Sequence, residues 1–200
     1  MNREEAQQLL NKFHTPKHVQ AHCKQVAKVG EFLALKMKEK GIKVDPEKVW
    51  IAGLIHDIMR VVDFKTLESD LGTKEDQKTW KKLRKEHHGK HHADVGAETL
   101  EREGEIELAN IVRQHKYTAI DSQNPPSTWE AKLLYYADKR VSHDKILPLM
   151  ERLEEGRKRH YPNQAITTEE EARRKTVQAL EVEIFKHLDL RPEDLKQAIE

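Results

Sequence analysis

Apolar residues recur along this chain at the three- and four-residue spacing that is typical of amphipathic helices. The clearest stripe predicts one long helix over residues 16–40 with a buried face. Its apolar positions are Val19, Cys23, Val26, Val29, Leu33 and Met37. No segment shows the strict alternation of apolar and polar residues that predicts a half-buried strand, and no internal repeat is found. The pattern therefore predicts an all-α protein.

Capping residues and helix breakers set the limits of the predicted helices. Thr15-Pro16 and Asp45-Pro46 each place a capping side chain before a proline at the first helical position. In chain order, helices are predicted near residues 3–12, 16–40, 46–60, 74–88, 92–103, 105–116, 128–141, 144–160 and 168–188, with a last turn or two from Pro192. Irregular structure is predicted for residues 61–72 and for the loop TAIDSQNPPS, residues 118–127.

The chain is predicted to form a single domain, because no shift in composition marks a boundary. We expect a helical bundle with its core at about residues 15–145 and a C-terminal helical extension at about residues 146–200. The last long helix has an apolar stripe that consists of Val177, Leu180, Ile184 and Leu188. This stripe is expected to fold back on the core, and the alternative is a homodimer in which it pairs with a second chain.

The composition of the chain limits which binding partners and which cell compartment are expected. A chain of 200 residues can bury one substantial core. The 36 basic and 35 acidic side chains give a formal net charge of +1, which argues against binding nucleic acid by bulk positive charge. A single cysteine excludes an intrachain disulfide and is typical of a reducing compartment. Since neither a signal peptide nor a membrane-spanning run is apparent, we expect a cytoplasmic protein.

The segment AGLIHDIMR, residues 52–60, contains an adjacent imidazole and carboxylate inside an apolar run. Burying an ionised carboxylate without a partner is very costly, so Asp57 needs a compensating group. Four more polar residues occupy the apolar faces of predicted helices: His22, His92, His115 and Asp138. Any one of these histidines, taken alone, is more often a hydrogen-bonded core residue than a metal ligand.

One metal centre accounts for all six residues together, namely His22, His56, Asp57, His92, His115 and Asp138. Histidine nitrogen and aspartate oxygen are ligands for Fe, Mn, Zn, Co and Ni. Ligands that project inward from facing helices can build a site for two metal ions. His88 is an alternative to His92, because it lies four residues earlier on the same face. The pair His143-Asp144 is instead interpreted as the start of a helix.

The order of these residues resembles the HD-domain superfamily, whose pattern is H…HD…D. In this chain the pattern falls on His22 in VQAHCKQVA, on His56-Asp57 in LIHDI and on Asp138 in YYADKRV. The chain looks most like the HDIG-type predicted metal-dependent phosphohydrolases. It is also similar to the bacterial diadenosine tetraphosphate hydrolases of the same superfamily. The resemblance covers about residues 15–145 and implies an HD-domain helical bundle.

His92 and His115 match the two further histidines of those superfamily members that bind two metal ions. The chain departs from the HDIG form at the two positions after Ile58. Met59 replaces the usual small residue, and Arg60 replaces the common lysine. These departures affect the wall of the pocket and the placement of the substrate rather than the metal ligands.

The resemblance implies a phosphohydrolase that attacks a phosphate ester, of a nucleotide or dinucleotide, with a metal-activated hydroxide. Two divalent transition-metal ions are implied, with Fe or Mn favoured and Zn, Co or Ni as alternatives. Asp57 is implied to be catalytic and to bridge the two ions. One ion is assigned to His22, His56 and Asp138, and the other to His92 and His115.

Two basic residues complete the implied site. Arg60 is expected to assist catalysis and to grip the phosphate, because a guanidinium can hold two phosphate oxygens at once. Lys139, next to Asp138, is the second candidate for substrate binding. The expected partner is therefore a small-molecule phosphate ester, with neither nucleic acid nor membrane involved.

Three other functions are weighed against this one. A di-iron oxygenase of the HD type would have the same ligands and an air-sensitive reduced centre. A non-catalytic nucleotide sensor would have a degraded ligand set, whereas every ligand position here is filled. A purely structural bundle predicts that replacing His56 and Asp57 together with apolar residues is tolerated or stabilising.

Overall fold

A computed structural model describes residues 1–67 and 71–199 and confirms the all-α prediction. Within these residues the α-helices are α1 Arg3–Lys12, α2 Lys17–Glu39, α3 Pro46–Ile55, α4 Lys74–Glu86, α5 His92–Arg102, α6 Ile106–Arg113, α7 Trp129–Asp138, α8 Leu149–His160, α9 Thr168–Phe185 and α10 Leu195–Ile199. Short 3-10 turns cover Arg60–Asp63, Tyr117–Asp121 and Pro192–Asp194. The predicted irregular segment 61–72 is thus partly a turn, and its residues 68–70 lie outside the described residues.

One short hairpin interrupts the helices. Strands β1 Val141–Ser142 and β2 Lys145–Ile146 pair in antiparallel register, with Val141 opposite Ile146. His143 lies at the tip with a φ of +54°, an uncommon angle for a residue with a side chain. The interpretation of His143-Asp144 as a helix start is therefore wrong, since α8 begins only at Leu149. Two-residue strands are too short to produce an alternating pattern, so the sequence did not reveal them.

The pairs Thr15-Pro16 and Asp45-Pro46, which were both predicted to start a helix, differ in the structure. Asp45 accepts hydrogen bonds from the main-chain N–H groups of Glu47 and Lys48, and Pro46 begins α3 as predicted. In α2 the N-cap position belongs to Pro16 rather than to Thr15. The Thr15 hydroxyl instead donates to the carbonyl of Ile58 at 3.3 Å, and this bond ties the start of α2 to the turn after α3.

Helices α2, α3 and α7 form the centre of the bundle, and α5 and α6 pack as a neighbouring pair. The contact between α2 and α3 is very close at Gly53. A Cβ atom at this position would lie 2.6 Å from the Cα atom of Ala27, so only glycine fits. This close approach brings the end of α3 against α2 near His22.

The C-terminal helices lie on the same bundle. Helix α9 contacts α7 and the 3-10 turn at Tyr117–Asp121. Its residues Val177, Leu180 and Ile184 are buried within the chain, so the apolar stripe folds back on the core as expected. Across residues 1–67 and 71–199, no helix is both long enough and apolar enough to cross a membrane.

Candidate metal centre

The structure brings together all of the predicted metal ligands where α2, α3, α5, α6 and α7 meet. Only His22 lies inside a helix. The others stand at helix ends: His56 and Asp57 follow α3, His92 begins α5, His115 follows α6, and Asp138 ends α7. The predicted helices 46–60, 105–116 and 128–141 were therefore too long at their C-terminal ends. Buried apolar residues continue past α3, with Ile58 and Val61 fully buried, which is why the apolar pattern does not show where the helix stops.

One group of ligand atoms belongs to α2, α3 and α7. His22 Nε2 lies 3.1 Å from Asp138 Oδ1, and His56 Nε2 lies 3.6 Å from the same oxygen. One ligand atom from each of these three residues lies within 4.8 Å of the other two. The side chains of His22 and Asp138 are each 13% exposed, whereas His56 is fully buried. This group can hold one metal ion.

A second group adjoins the first through Asp57. Asp57 Oδ1 lies 2.9 Å from His92 Nε2 and 3.4 Å from His115 Nε2, and these two nitrogens are 3.0 Å apart. The other oxygen, Asp57 Oδ2, lies 3.8 Å from His56 Nε2. Asp57 therefore presents one oxygen to each group, as a bridging carboxylate would.

The ring orientations show that these atoms fit a metal. Each of the four histidines has an acceptor opposite Nδ1, on which we place the proton. The acceptors are the carbonyl of His143 for His22 at 3.1 Å, that of Gly53 for His56 at 2.8 Å, that of Val112 for His115 at 2.6 Å, and the Asp63 carboxylate for His92 at 2.6 Å. Every Nε2 would then present a lone pair to a bound metal ion, which displaces any proton held there. Such outer hydrogen bonds are usual for histidines that bind metals.

In that metal-bound state the inward-facing atoms have no protons to share. His56 Nε2 is buried and has no hydrogen-bond partner among the described residues. His92 Nε2, His115 Nε2 and Asp57 Oδ1 lie within 3.4 Å of one another. Lone pairs and carboxylates at these distances repel one another unless a proton or a metal ion lies between them. The donor set of imidazole nitrogen and carboxylate oxygen suits a divalent transition metal.

Electrostatics also favour a cation here. Burial raises the pKa of Asp57, but the positive charge of protonated His56 and His92 outweighs it and holds the pKa well below the usual range. Burial lowers the pKa of His56 and His92, but Asp57 raises it above the usual value, so without a metal ion these rings hold protons beside the carboxylate. Asp138 behaves likewise: burial raises its pKa, while Lys139 and His22 lower it well below the usual range. Burial, helped by His56 and His92, lowers the pKa of His115 to about 4, so this ring is neutral at neutral pH. The carboxylates and His115 are thus in the protonation states that metal binding requires, and a metal ion would displace the protons of His56 and His92.

The two basic residues predicted for the substrate lie at the same site. Arg60 Nε is 3.7 Å from Asp57 Oδ2, and the Arg60 side chain is 27% exposed. Lys139 is buried, and its Nζ donates to the carbonyl of His115 at 2.9 Å and to Asp138 Oδ2 at 2.5 Å. The alternative ligand His88 is exposed and belongs to none of the candidate metal clusters found among the described residues.

Sequence reasoning missed Asp63. Its Oδ2 lies 2.6 Å from His92 Nδ1, and its Oδ1 accepts a hydrogen bond from Arg60 Nη1 at 2.8 Å. An acidic residue three positions after Arg60 was the available signal, since that spacing brings two side chains together on one turn. The segment was predicted to be irregular, so no helix face marked Asp63 as an inward-facing residue.

The fold and this site define a helical bundle with a candidate metal centre of histidine and aspartate side chains. The family described as HD domain matches residues 19–142, and the chain belongs to this family. Its members are grouped as metal-dependent phosphohydrolases. An uncharacterized protein of Methanocaldococcus jannaschii is 32% identical to this chain over 153 residues, which are 68% of this chain and 76% of that protein. No solved structure matches the chain.

Proposed function

We propose that this protein hydrolyses a phosphate ester of a nucleotide or dinucleotide and depends on two divalent transition-metal ions, with Fe or Mn favoured. The observation that supports this most directly is the convergence of four imidazole Nε2 atoms and two carboxylates at one place in the bundle. Membership of a family of metal-dependent phosphohydrolases supports the reaction class. The nucleotide as substrate and the number of ions are part of the proposal.

The ligands divide between two positions. His22, His56 and Asp138 would hold one ion, His92 and His115 would hold the other, and Asp57 would contribute to both. Bound ions would supply a Lewis acid for the phosphate oxygens and lower the pKa of a coordinated water that attacks the phosphorus. The protein itself fixes the positions of these ligands, because each imidazole is held from outside by its Nδ1 hydrogen bond.

Arg60 is the proposed phosphate-binding cation. Its Nη1 donates to Asp63, which holds the guanidinium beside Asp57. Nη1 also lies 2.8 Å from His92 Nδ1, which leaves Nε and Nη2 to donate to two phosphate oxygens in the fork geometry of arginine. Lys139 has two of its three donors engaged by His115 and Asp138, so its proposed contribution to substrate binding is the single remaining donor.

Metal content tests the proposal first. We would purify untagged protein without chelator and measure ions per chain by mass spectrometry for the wild type, Asp57→Asn and His88→Gln. Two equivalents are expected for the wild type and for His88→Gln, because His88 lies outside the site. Asp57→Asn is expected to lose metal and to release phosphate from a panel of nucleotides and dinucleotides at least about 100-fold more slowly.

Three results would contradict the proposal. Protein that binds no metal even after reconstitution would leave a structural network of buried polar groups. Two ions with nucleotide binding but without phosphate release would indicate a sensor. An air-sensitive di-iron centre that consumes oxygen and releases no phosphate would indicate an oxygenase.

A further inference from the structure

One of the four inward-facing histidines is oriented differently from the others. His22, His56 and His115 donate through Nδ1 to main-chain carbonyls. The Nδ1 atom of His92 instead lies between a carboxylate and a guanidinium, 2.6 Å from Asp63 Oδ2 and 2.8 Å from Arg60 Nη1. Arg60 Nη1 can donate to Asp63 Oδ1, so we place the proton of Nδ1 on its contact with Asp63 Oδ2. The same Oδ2 accepts the main-chain N–H of His92 at 3.1 Å, so Asp63 fixes both the ring and the first residue of α5.

A carboxylate partner changes a histidine ligand more than a carbonyl does. It attracts the Nδ1 proton, and this increases the electron density on Nε2 and strengthens the bond to a metal. It also selects the tautomer and the ring angle. His92 Nε2 lies 2.9 Å from Asp57 Oδ1 and 3.0 Å from His115 Nε2, so a small rotation of the ring would disturb only this group.

We infer that Asp63 is a positioning residue for the metal position formed by His92 and His115, and that the position formed by His22, His56 and Asp138 does not depend on it. This inference rests on the proposed function and extends it to a residue outside the ligand set. Asp63 also accepts a hydrogen bond from Arg60 at 2.8 Å. One carboxylate therefore supports both the second ion and the cation proposed to hold the phosphate.

A different role for Asp63 is geometrically available. Ligand atoms of Asp63, His91 and His92 lie within 4.8 Å of one another, which is close enough for a third metal ion. However, His91 Nδ1 already accepts the main-chain N–H of Ala93 at 3.1 Å as the cap of α5. A third ion would also require both nitrogens of the His92 ring to be deprotonated. The hydrogen-bonded arrangement needs neither change.

The test compares Asp63→Asn with Asp94→Asn in the full-length protein. Asp94 is a matched control, because it lies in the first turn of the same helix and pairs with Lys116 at 2.5 Å. Each protein would be stripped of metal and titrated with Co²⁺, with bound ions counted by equilibrium dialysis and followed by the visible spectrum. We expect two ions in the wild type and in Asp94→Asn. In Asp63→Asn the first ion should bind normally and the second about 10–100-fold more weakly.

A conservative variant separates positioning from folding. Asp63→Glu keeps the carboxylate and should recover part of the affinity for the second ion. If Asp63→Asn binds both ions with unchanged affinity and is only less stable, Asp63 is merely a cap for α5 and the inference is wrong. It is equally wrong if both ions weaken together, or if the wild type binds three. A wild type that binds none would refute the proposed function itself.

Discussion

His56 and His115 enter the site by the same local arrangement. Each follows the end of a helix and donates through Nδ1 to the carbonyl three residues earlier, which belongs to Gly53 in one case and to Val112 in the other. A helix leaves its last carbonyls without the usual intrahelical donors, and the imidazole supplies a donor to one of them. The ring is fixed by the same bond. The Val112 carbonyl also accepts the main-chain N–H of His115 at 3.2 Å. At the scale of single residues, helix ends are therefore suitable places for metal ligands.

Asp76 forms hydrogen bonds at the start of α4, away from the metal centre. The pH dependence of its contribution to stability can be predicted from its pKa. It accepts from the main chain and hydroxyl of Thr73 at 2.8 Å and lies 2.6 Å from His14 Nδ1. These contacts, Thr73 first and His14 next, lower the pKa of Asp76 from 3.8 to about 2. Because the pKa is lower in the folded state, the stabilisation is present above pH 4 and is lost between about pH 4 and pH 2.

We expect Asp76→Asn to lower the free energy of unfolding at pH 7 by about 1 kcal/mol, the usual cost of a lost helix cap. The difference from the wild type should shrink as the pH falls below 4, because the wild-type carboxylate then becomes protonated. Urea unfolding of both proteins at pH 7, 5, 4 and 3 measures this difference in the free energy of unfolding. Glu75→Gln, in the same turn of α4, is the control and should show little effect. If the difference in unfolding free energy between the wild type and Asp76→Asn stays constant over this pH range, the lowered pKa of Asp76 is wrong.

Helices α2 and α3 depend on a glycine for their close contact, and this sets the position of His56. A Cβ atom at Gly53 would lie 2.6 Å from the Cα atom and 2.8 Å from the main-chain nitrogen of Ala27. Main-chain atoms cannot move aside as a flexible side chain can. The carbonyl of Gly53 also accepts the hydrogen bond that orients His56. Gly53 therefore determines both how closely α2 packs against α3 and how the His56 ring is oriented.

Gly53→Ala is expected to destabilise the protein by about 1–3 kcal/mol, the range for overpacked cores, and to weaken metal binding. Gly96→Ala is the matched control in α5. A Cβ atom there would meet its nearest neighbour, Val112, at 3.7 Å, which is an ordinary contact. Gly96→Ala should be neutral or stabilising by up to about 1 kcal/mol, because alanine favours a helix over glycine. Urea unfolding of both variants measures the difference, and equal stabilities would refute the packing argument.

At the scale of elements, the sequence predicts the helices better than their ends. Apolar spacing identifies α2 and α9 because long stripes repeat over several turns. It fails after α3 and α6, where His56 and His115 lie just beyond the helix and take part in its termination. The residues that build the site could be named from sequence. Their outer partners could not, because a partner such as Asp63 is defined only by the distance between separate elements.

At the scale of the whole molecule, Arg140 connects the C-terminal helices to the candidate metal site. This residue lies two positions after Asp138 and is only 2% exposed. Its Nε donates to the carbonyl of Leu147 at 2.6 Å and its Nη2 to that of Pro192 at 3.0 Å. Its Nη1 is 3.3 Å from Glu181 Oε2 on α9. The end of α7, which carries a candidate metal ligand, is thus fastened by residues far along the chain.

Removing the acidic partner of Arg140 tests this connection. We expect Glu181→Gln to lower the free energy of unfolding by about 2–3 kcal/mol, because it leaves a buried guanidinium without a counter-charge. The Tyr136 hydroxyl, which donates to Glu181 at 2.6 Å, also loses a charged acceptor. Glu183→Gln is the control, since its pair with Lys132 is more exposed and should be worth less than about 1 kcal/mol. If urea unfolding shows the same loss of unfolding free energy for Glu181→Gln and Glu183→Gln, Glu181 is not the counter-charge that stabilises Arg140.

Metal removal should destabilise the whole molecule, because the candidate ligands lie on or just after five different helices between His22 and Asp138. An ion that binds only the folded state adds about 2.7 kcal/mol of stability at a free concentration one hundred times its Kd. We therefore expect chelator to lower the unfolding temperature of the wild type. It should also increase amide exchange at the ends of α3, α6 and α7, where the candidate ligands would lose the ion that holds them together. Asp57→Asn should respond little to chelator or added ion. Equal unfolding temperatures of loaded and stripped wild type would show that the helix ends do not depend on a shared metal.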